Sequence, residues 1–166
     1  MTDEISTGRL LLRPLIISDA ADITRLIADW QVMRWLTSPP WPYALADAEW
    51  YLGDRSSNGS LAILFHGRLA GVVSVNKEFG FWLGREFWGR GIMTEAAGAS
   101  VGKYFANHDA VLKSGYLIGN TVFCKLLKKL GFRETAIEMV YSNPQSRDVR
   151  LQKMALTRQD WQARNG

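Results

Sequence analysis

From Trp82 to Thr94 the chain reads Trp-Leu-Gly-Arg-Glu-Phe-Trp-Gly-Arg-Gly-Ile-Met-Thr, and no other stretch constrains the fold as strongly. An aromatic run that begins at Glu78 ends in a turn containing Gly89 and Gly91. A helical pattern then starts at once, small and apolar on one side (Ala96, Ala97, Gly98, Ala99, Val101, Gly102). Glycine admits positive φ and lets backbone N–H groups approach a ligand, while the first turn of a helix adds unpaired donors and a partial positive charge. A strand, a glycine turn and a helix in that order make a cradle for phosphate. From the glycines alone, a plain tight connection reads equally well. Two familiar phosphate loops fail: a dinucleotide fingerprint needs a third glycine where Thr94 stands, and a Walker loop needs Gly-Lys-Ser/Thr where the chain has Gly89-Arg90-Gly91.

Around this turn the pattern alternates between strand and helix. Arg9 to Leu15 reads as a short strand closed by Pro14, and Ser18-Asp19 as a helix start, followed by Ile23, Leu26, Ile27 and Trp30 at helical spacing. Three prolines between Thr37 and Pro42 exclude regular structure, so a loop leads into a second helix over Leu45 to Arg55. After the polar break Ser56 to Gly59, Leu61–Phe65 and Leu69–Val75 form a hairpin through His66-Gly67-Arg68, with Glu78–Leu83 as a third run. Leu112–Ile118 is a strand, Asn120–Leu130 a helix closed by Gly131, and Phe132–Tyr141 and Val149–Leu156 the last two strands. This order predicts an α/β domain with a mixed sheet flanked by helices.

With 166 residues, 47% hydrophobic and 22% charged, the chain is expected to form one domain over residues 1–166. A net charge of +4 suits a small phosphate-bearing ligand. The basic residues form no aromatic-interleaved strip, so nucleic acid ranks low as a partner. Cys124 alone allows no internal disulfide, and His66 and His108 give no metal-ligand cluster, so no metal is expected. The acidic start Met1-Thr2-Asp3-Glu4 and the lack of an apolar run of about 18 residues predict a soluble, cytoplasmic protein without a membrane partner. Seven tryptophans include Trp30, Trp35, Trp41 and Trp50, which offer flat apolar walls for a ligand or ordinary burial beneath a loop.

Glu86-Phe87-Trp88-Gly89-Arg90-Gly91 matches the acyl-CoA loop Gln/Arg-x-x-Gly-x-Gly/Ala, in which pyrophosphate rests on the N–H groups from about Arg90 to Glu95. The match extends along most of the chain: Thr7 to Leu15 with Asp19-Ala20, Pro42-Tyr43 with Asp47-Ala48, Glu78 to Leu83 with Trp88 to Gly91 and Thr94-Glu95-Ala96, then Asn120, Leu127 and Lys129 to Phe132, and finally Met154 to Arg158 with Trp161. In these blocks the sequence resembles the GCN5-related N-acetyltransferase superfamily, and more closely its ribosomal-protein alanine and serine N-terminal acetyltransferases. The resemblance implies a seven-stranded mixed sheet splayed between its fourth and fifth strands, with acetyl-CoA in the split. It leaves room for a homodimer. Two positions depart from the family pattern: Glu86 replaces a Gln, Arg or neutral residue, and Phe123 replaces the Ser of Asn-x-x-Ser.

On this resemblance the cofactor residues are Trp82, Leu83, Gly84, Gly89, Arg90, Gly91, Ile92, Met93, Thr94, Asn120 and Lys125. Strand N–H groups near Phe81 to Leu83 would hold the oxyanion. Glu78 is the candidate base, or else a solvated strand-end carboxylate, and Asn120 serves the pantetheine arm, a helix cap, or both. Tyr116, Cys124, Tyr141 and Ser142 are the available proton donors, of which Tyr141 is carried as catalytic and Cys124 reads as core packing. Lys125, Lys128 and Lys129 share a helical face, and Trp30, Trp35 and Tyr43 would contact the acceptor. The expected activity is acetyl transfer from acetyl-CoA to a primary amine, first a protein N-terminus, by direct transfer in a ternary complex. A small-molecule amine is the second acceptor, and a non-catalytic CoA-binding module is the rival.

Overall fold

The first half of the chain builds an antiparallel meander of β1 (Ile5–Ser6), β2 (Leu10–Pro14), β3 (Ser60–Phe65), β4 (Arg68–Val75) and β5 (Phe79–Leu83), in that spatial order. It is seen in a computed structural model that describes residues 4–53, 59–76 and 78–165. The polar break at 56–58 and the expected end of the second helix at 54–55 lie outside the described residues. The β3–β4 hairpin closes through His66 and Gly67 with φ of 51° and 75°, the positive values a two-residue turn requires. The second sheet has the order β6 (Leu112–Leu117), β8 (Arg147–Leu156), β7 (Arg133–Ser142), all antiparallel, so β7 is an edge strand.

Among the described residues the two sheets meet at the start of β5 and of β6. Glu78 bridges Lys113 in parallel, and the buried Ser114 hydroxyl donates to the Phe79 carbonyl at 2.6 Å. Beyond that point β5 and β6 part. The expected splay between the fourth and fifth strands is this one, the two-residue β1 adding one to the count.

Helices cover both sheets. α1 (Ala20–Ile27), α2 (Trp30–Met33) and α3 (Leu45–Gly53) lie between β2 and β3, α4 (Ile92–Asn107) joins β5 to β6, α5 (Thr121–Leu130) joins β6 to β7, and α6 (Arg158–Asn165) ends the chain. Leu12, Ile23, Met33, Ile63, Val73, Phe87, Ile92, Val101, Leu127 and Met154 are all but inaccessible. Each contributes roughly 1.5–3 kcal/mol by burial.

Local signals differ from the sequence reading in two places. The Asp19 carboxylate, rather than Ser18, starts the first helical segment, accepting the Ile16 N–H at 2.9 Å and both Arg13 amino groups at 2.8 and 2.9 Å. Trp30 does not continue α1 but opens α2. There Asp29 caps the Gln31 N–H at 3.0 Å and takes the Arg85 guanidinium at 2.7 and 2.8 Å, tying α2 to the turn after β5.

Candidate active site

Where β5 and β6 separate, a cleft of about 560 Å³ opens. Its walls are apolar and aromatic, drawn from Trp35 and Leu36 on one side, Phe81 on β5, and Phe123 and Leu126 on α5. Phe81 and Phe123 fill its base, their ring centroids 4.3 Å apart. In an antiparallel ladder alternate residues turn their N–H and C=O to one neighbour. Gly84 N–H bonds the Ala70 carbonyl of β4, so Phe79, Phe81 and Leu83 present theirs to the split. The Phe79 carbonyl takes Ser114, and the Leu83 carbonyl accepts the Trp88 indole N–H at 2.8 Å. Both Phe81 groups remain directed at the cleft.

At the far end of β5 the chain turns through Gly89 and Gly91, with φ of 74° and 73°, into α4, whose first turn has no side-chain cap. Glu95, the acid in that turn, is drawn away from it. It accepts from the Thr7 hydroxyl and from the Arg9 N–H and Nε, and these bonds, the Thr7 one foremost, hold its carboxyl below the usual carboxylate range. The Arg9 Nη1 donates to the Arg90 carbonyl at 2.8 Å and braces the turn from outside. Glu86 is likewise engaged, by Arg25 at 2.8 Å and Arg68 at 3.1 Å, which keep it ionised but paired away from the cleft. Of the three lysines assigned to one face, Lys125 and Lys129 line the cleft while Lys128 pairs with Glu134 at 3.3 Å. The result is an uncapped helix terminus, a positive-φ turn and two ammonium groups beside an apolar slot.

Residues 9–133 match the family model described as Acetyltransferase (GNAT) domain. The chain belongs to the GNAT acetyltransferase family. Solved structures below 25% identity agree on this acetyltransferase fold. A GNAT-family acetyltransferase from Bacillus anthracis is 18% identical over 94% of this chain and 99% of its own, with a TM-score of 0.82. RimL, a ribosomal L7/L12 alpha-N-protein acetyltransferase, is 18% identical over 95% of each chain at 0.78. The microcin C7 self-immunity acetyltransferase MccE, solved with acetyl-CoA and AMP, is 16% identical over 91% of this chain and 93% of its own at 0.76. No curated protein sequence matches.

The acetyltransferase cleft gathers most of the expected cofactor residues: Trp82, Leu83, Gly89, Gly91, Ile92, Met93, Thr94, Asn120 and Lys125 line it. Gly84 and Arg90 do not. A Cβ at Gly84 would lie 2.6 Å from Leu26 Cδ2, so that glycine lets α1 pack on the strand end, and the Arg90 side chain lies exposed, its guanidinium 5.9 Å from the Phe65 ring centre. Asn120 caps α5 by accepting the Phe123 N–H at 3.2 Å, which leaves its amide NH₂ for another partner.

The remaining expected residues are scattered. Glu78 is exposed at the bridge with Lys113, outside the cleft lining, three residues and roughly 10 Å along the strand from Phe81. Tyr141 is 57% exposed on the edge strand β7, opposite Asp148, away from the cleft. Among the expected acceptor contacts only Trp35 reaches the cleft. Trp30 packs against Trp41 with centroids 5.1 Å apart and the rings tilted by 55°, and Tyr43 is half-buried beside α3, where burial and then Asp47 push its hydroxyl up to about 12. Tyr116 sits with Cys124 and Glu134 on the far side of α5, and Cys124 foremost pushes its ionisation up. Sequence reading missed Lys129 as a cleft residue, along with Val32, Leu36, Phe87, Val122 and Leu126. The i, i+4 spacing of Lys125 and Lys129 was the signal available for the first.

Proposed function

We propose that this chain moves the acetyl group of acetyl-CoA to an α-amino group at a protein N-terminus. The observation that carries the acceptor is the character of the cleft: apolar and aromatic walls from Trp35, Leu36, Phe81 and Phe123. Such surroundings disfavour an ammonium ion and lower the pKa of an incoming amine. An α-amine starts near 7.7–8.0 and reaches its neutral form after a small shift, whereas a lysine starting near 10.4 does not.

Acetyl-CoA, when bound, supplies the activated thioester. The Gly89–Gly91 turn, the uncapped start of α4, Lys125 and Lys129 fit its phosphates, and the Phe81 N–H and C=O with the free Asn120 amide fit the amide groups of its arm. Trp35 and Leu36 hold the acceptor against the Phe81 edge and exclude water. Glu78, Gly80 and Trp82 share one face of β5, and a side chain at Gly80 would meet nothing within 4 Å, so water has room between Glu78 and the cleft. Glu78 takes the amine's proton through that water. Phe123 has no hydroxyl to offer the leaving group, and solvent supplies its proton instead.

Acetyl-CoA turnover against a panel of N-terminal peptides and a panel of small amines tests the acceptor. Turnover with peptides, lost in Glu78→Gln while calorimetric CoA binding persists, is the expected result. Activity confined to small amines would overturn the acceptor, and no CoA binding at all would overturn the cleft assignment.

A further inference from the structure

Beyond Trp35 lies a second hollow, of about 550 Å³, that the chemistry above leaves unused. Trp35 lines both spaces and so divides them. The hollow's floor is apolar, from Leu117, Val149 and the exposed Met139, and its remaining walls carry Arg34, Arg147 and Arg150 against one carboxylate, Asp148. It is a braced space. The Gln145 amide donates to the Arg34 carbonyl at 3.0 Å, and Asn143 donates to the carbonyls of Thr37 and Ser38 at 2.9 and 2.7 Å, joining the β7–β8 turn to the segment after α2. The Arg34 guanidinium lies 4.6 Å over the Trp35 ring, which fixes its plane.

These three arginines differ from most in the molecule. Arg9, Arg13, Arg25, Arg68, Arg85, Arg133 and Arg158 each have a carboxylate partner. Among the described residues no carboxylate lies within ion-pair distance of Arg34, Arg147 or Arg150, although Asp148 shares their hollow. Three guanidinium groups without carboxylate partners line one hollow, Arg34 stacked in place and Arg147 and Arg150 on alternate sides of β8, and guanidinium groups bind carboxylates in a two-pronged fashion.

We infer that this hollow selects protein N-termini whose first residues after the acetylated one carry acidic side chains, bound by Arg34, Arg147 and Arg150. The inference rests on the peptide acceptor proposed above and names its class. A peptide whose amine passes Trp35 into the cleft leaves its following residues over the apolar floor, and the exposed Arg147 and Arg150 meet carboxylates there while the chain continues into solvent. Lysine-rich N-termini meet the same charges as repulsion, so the hollow discriminates in both directions.

The test uses the full chain and peptides of eight residues with N-terminal alanine followed by acidic, neutral or basic residues at positions two to four. The acidic series should show kcat/KM about tenfold or more above the basic series at low salt, a gap that narrows as salt rises. Arg147→Glu combined with Arg150→Glu should invert that order while leaving CoA affinity and the melting temperature unchanged, and Arg34→Gln should weaken it without inversion. Peptide turnover that ignores charge in both the wild type and the reversed variant would overturn this inference and leave the peptide acceptor standing. Turnover of small amines alone would overturn the acceptor itself, and this inference with it.

Discussion

Alanine placed at Gly89, Gly91 and Gly67 separates what the glycine turn does for the fold from what it does for the ligand. All three residues have nearly the same φ, 74°, 73° and 75°. A Cβ would meet nothing within 4 Å at Gly89 or Gly67, and at Gly91 only the Arg9 Nη2 at 3.4 Å, an ordinary van der Waals contact. Steric contact is therefore a small part of the cost, and backbone strain is the rest. An L-residue in the left-handed region costs about 1–2 kcal/mol, partly offset by the reduced freedom of the unfolded chain. At about 2–4 °C per kcal/mol for a chain of this size, each variant should melt about 2–6 °C lower.

Ligand affinity should split the set. Gly67 turns the β3–β4 hairpin, away from the cleft. At Gly89 and Gly91 relief of strain means rotating the peptide groups that lead into α4, which re-aims the N–H donors of its first turn. Losing one charge-assisted hydrogen bond costs about 1.5–3 kcal/mol, a factor of about 10–150 in Kd. Calorimetry with coenzyme A, beside a melting curve for each variant, reads both quantities. If Gly67→Ala weakened CoA as much as the other two, or Gly91→Ala bound it like the wild type, backbone donors at this turn would not be what holds phosphate.

Two further outcomes follow from the charges. Lys125→Ala with Lys129→Ala should raise the Kd for CoA about three- to tenfold at low salt, with the difference shrinking at 0.5 M salt, while Lys128→Ala, which removes the Glu134 pair outside the cleft, leaves it unchanged. Burial pushes the Asp19 carboxyl up, but the Arg13 and Ile16 hydrogen bonds outweigh it and hold its pKa below the usual value. A depressed folded pKa gives stability that is present above the unfolded value near 3.9 and lost as pH falls through the folded one. Asp19→Asn should therefore melt about 4–8 °C lower at pH 7, from about 2 kcal/mol of lost charge-assisted bonding, a difference that starts to shrink below about pH 4 and closes only below the depressed folded pKa.

What the sequence revealed and what it hid divide by range. The strand–turn–helix at Leu83–Ile92, the two-residue hairpin and the ends of α5 at Asn120 and Gly131 are written in adjacent residues whose backbone demands are local. The cleft lining around the turn was legible for the same reason. Tyr141 lies outside the cleft lining because its surroundings depend on the strand order β6-β8-β7, which puts β7 on the outer edge, and no local pattern encodes that order. Trp30 and Tyr43 carry the right chemistry for an acceptor wall, but α2 is a single turn, and its short length rotates Trp30 onto Trp41 and leaves Trp35 facing the cleft. Glu86 looked adverse in the acyl-CoA loop because its partners, Arg25 and Arg68, lie 61 and 18 residues away.

That last pairing bears on how a chain of only +4 builds two cationic sites. Glu86, Glu95 and Asp29 flank the cleft, and each is turned outward by an arginine from another element: Arg25 and Arg68, Arg9, and Arg85. Those pairs are exposed and add little to stability on their own. Their consequence is directional, because a carboxylate held by a guanidinium outside the site adds little negative potential inside it. Beside Trp35 the cations without an ion-pair partner among the described residues are Lys125 and Lys129 on one side and Arg34, Arg147 and Arg150 on the other. Local potential in a low-dielectric cleft, rather than net charge, governs which ions enter. An excess this modest suffices when the acids flanking the first cleft are paired outside it and the one acid of the second hollow, Asp148, is outnumbered by three arginines.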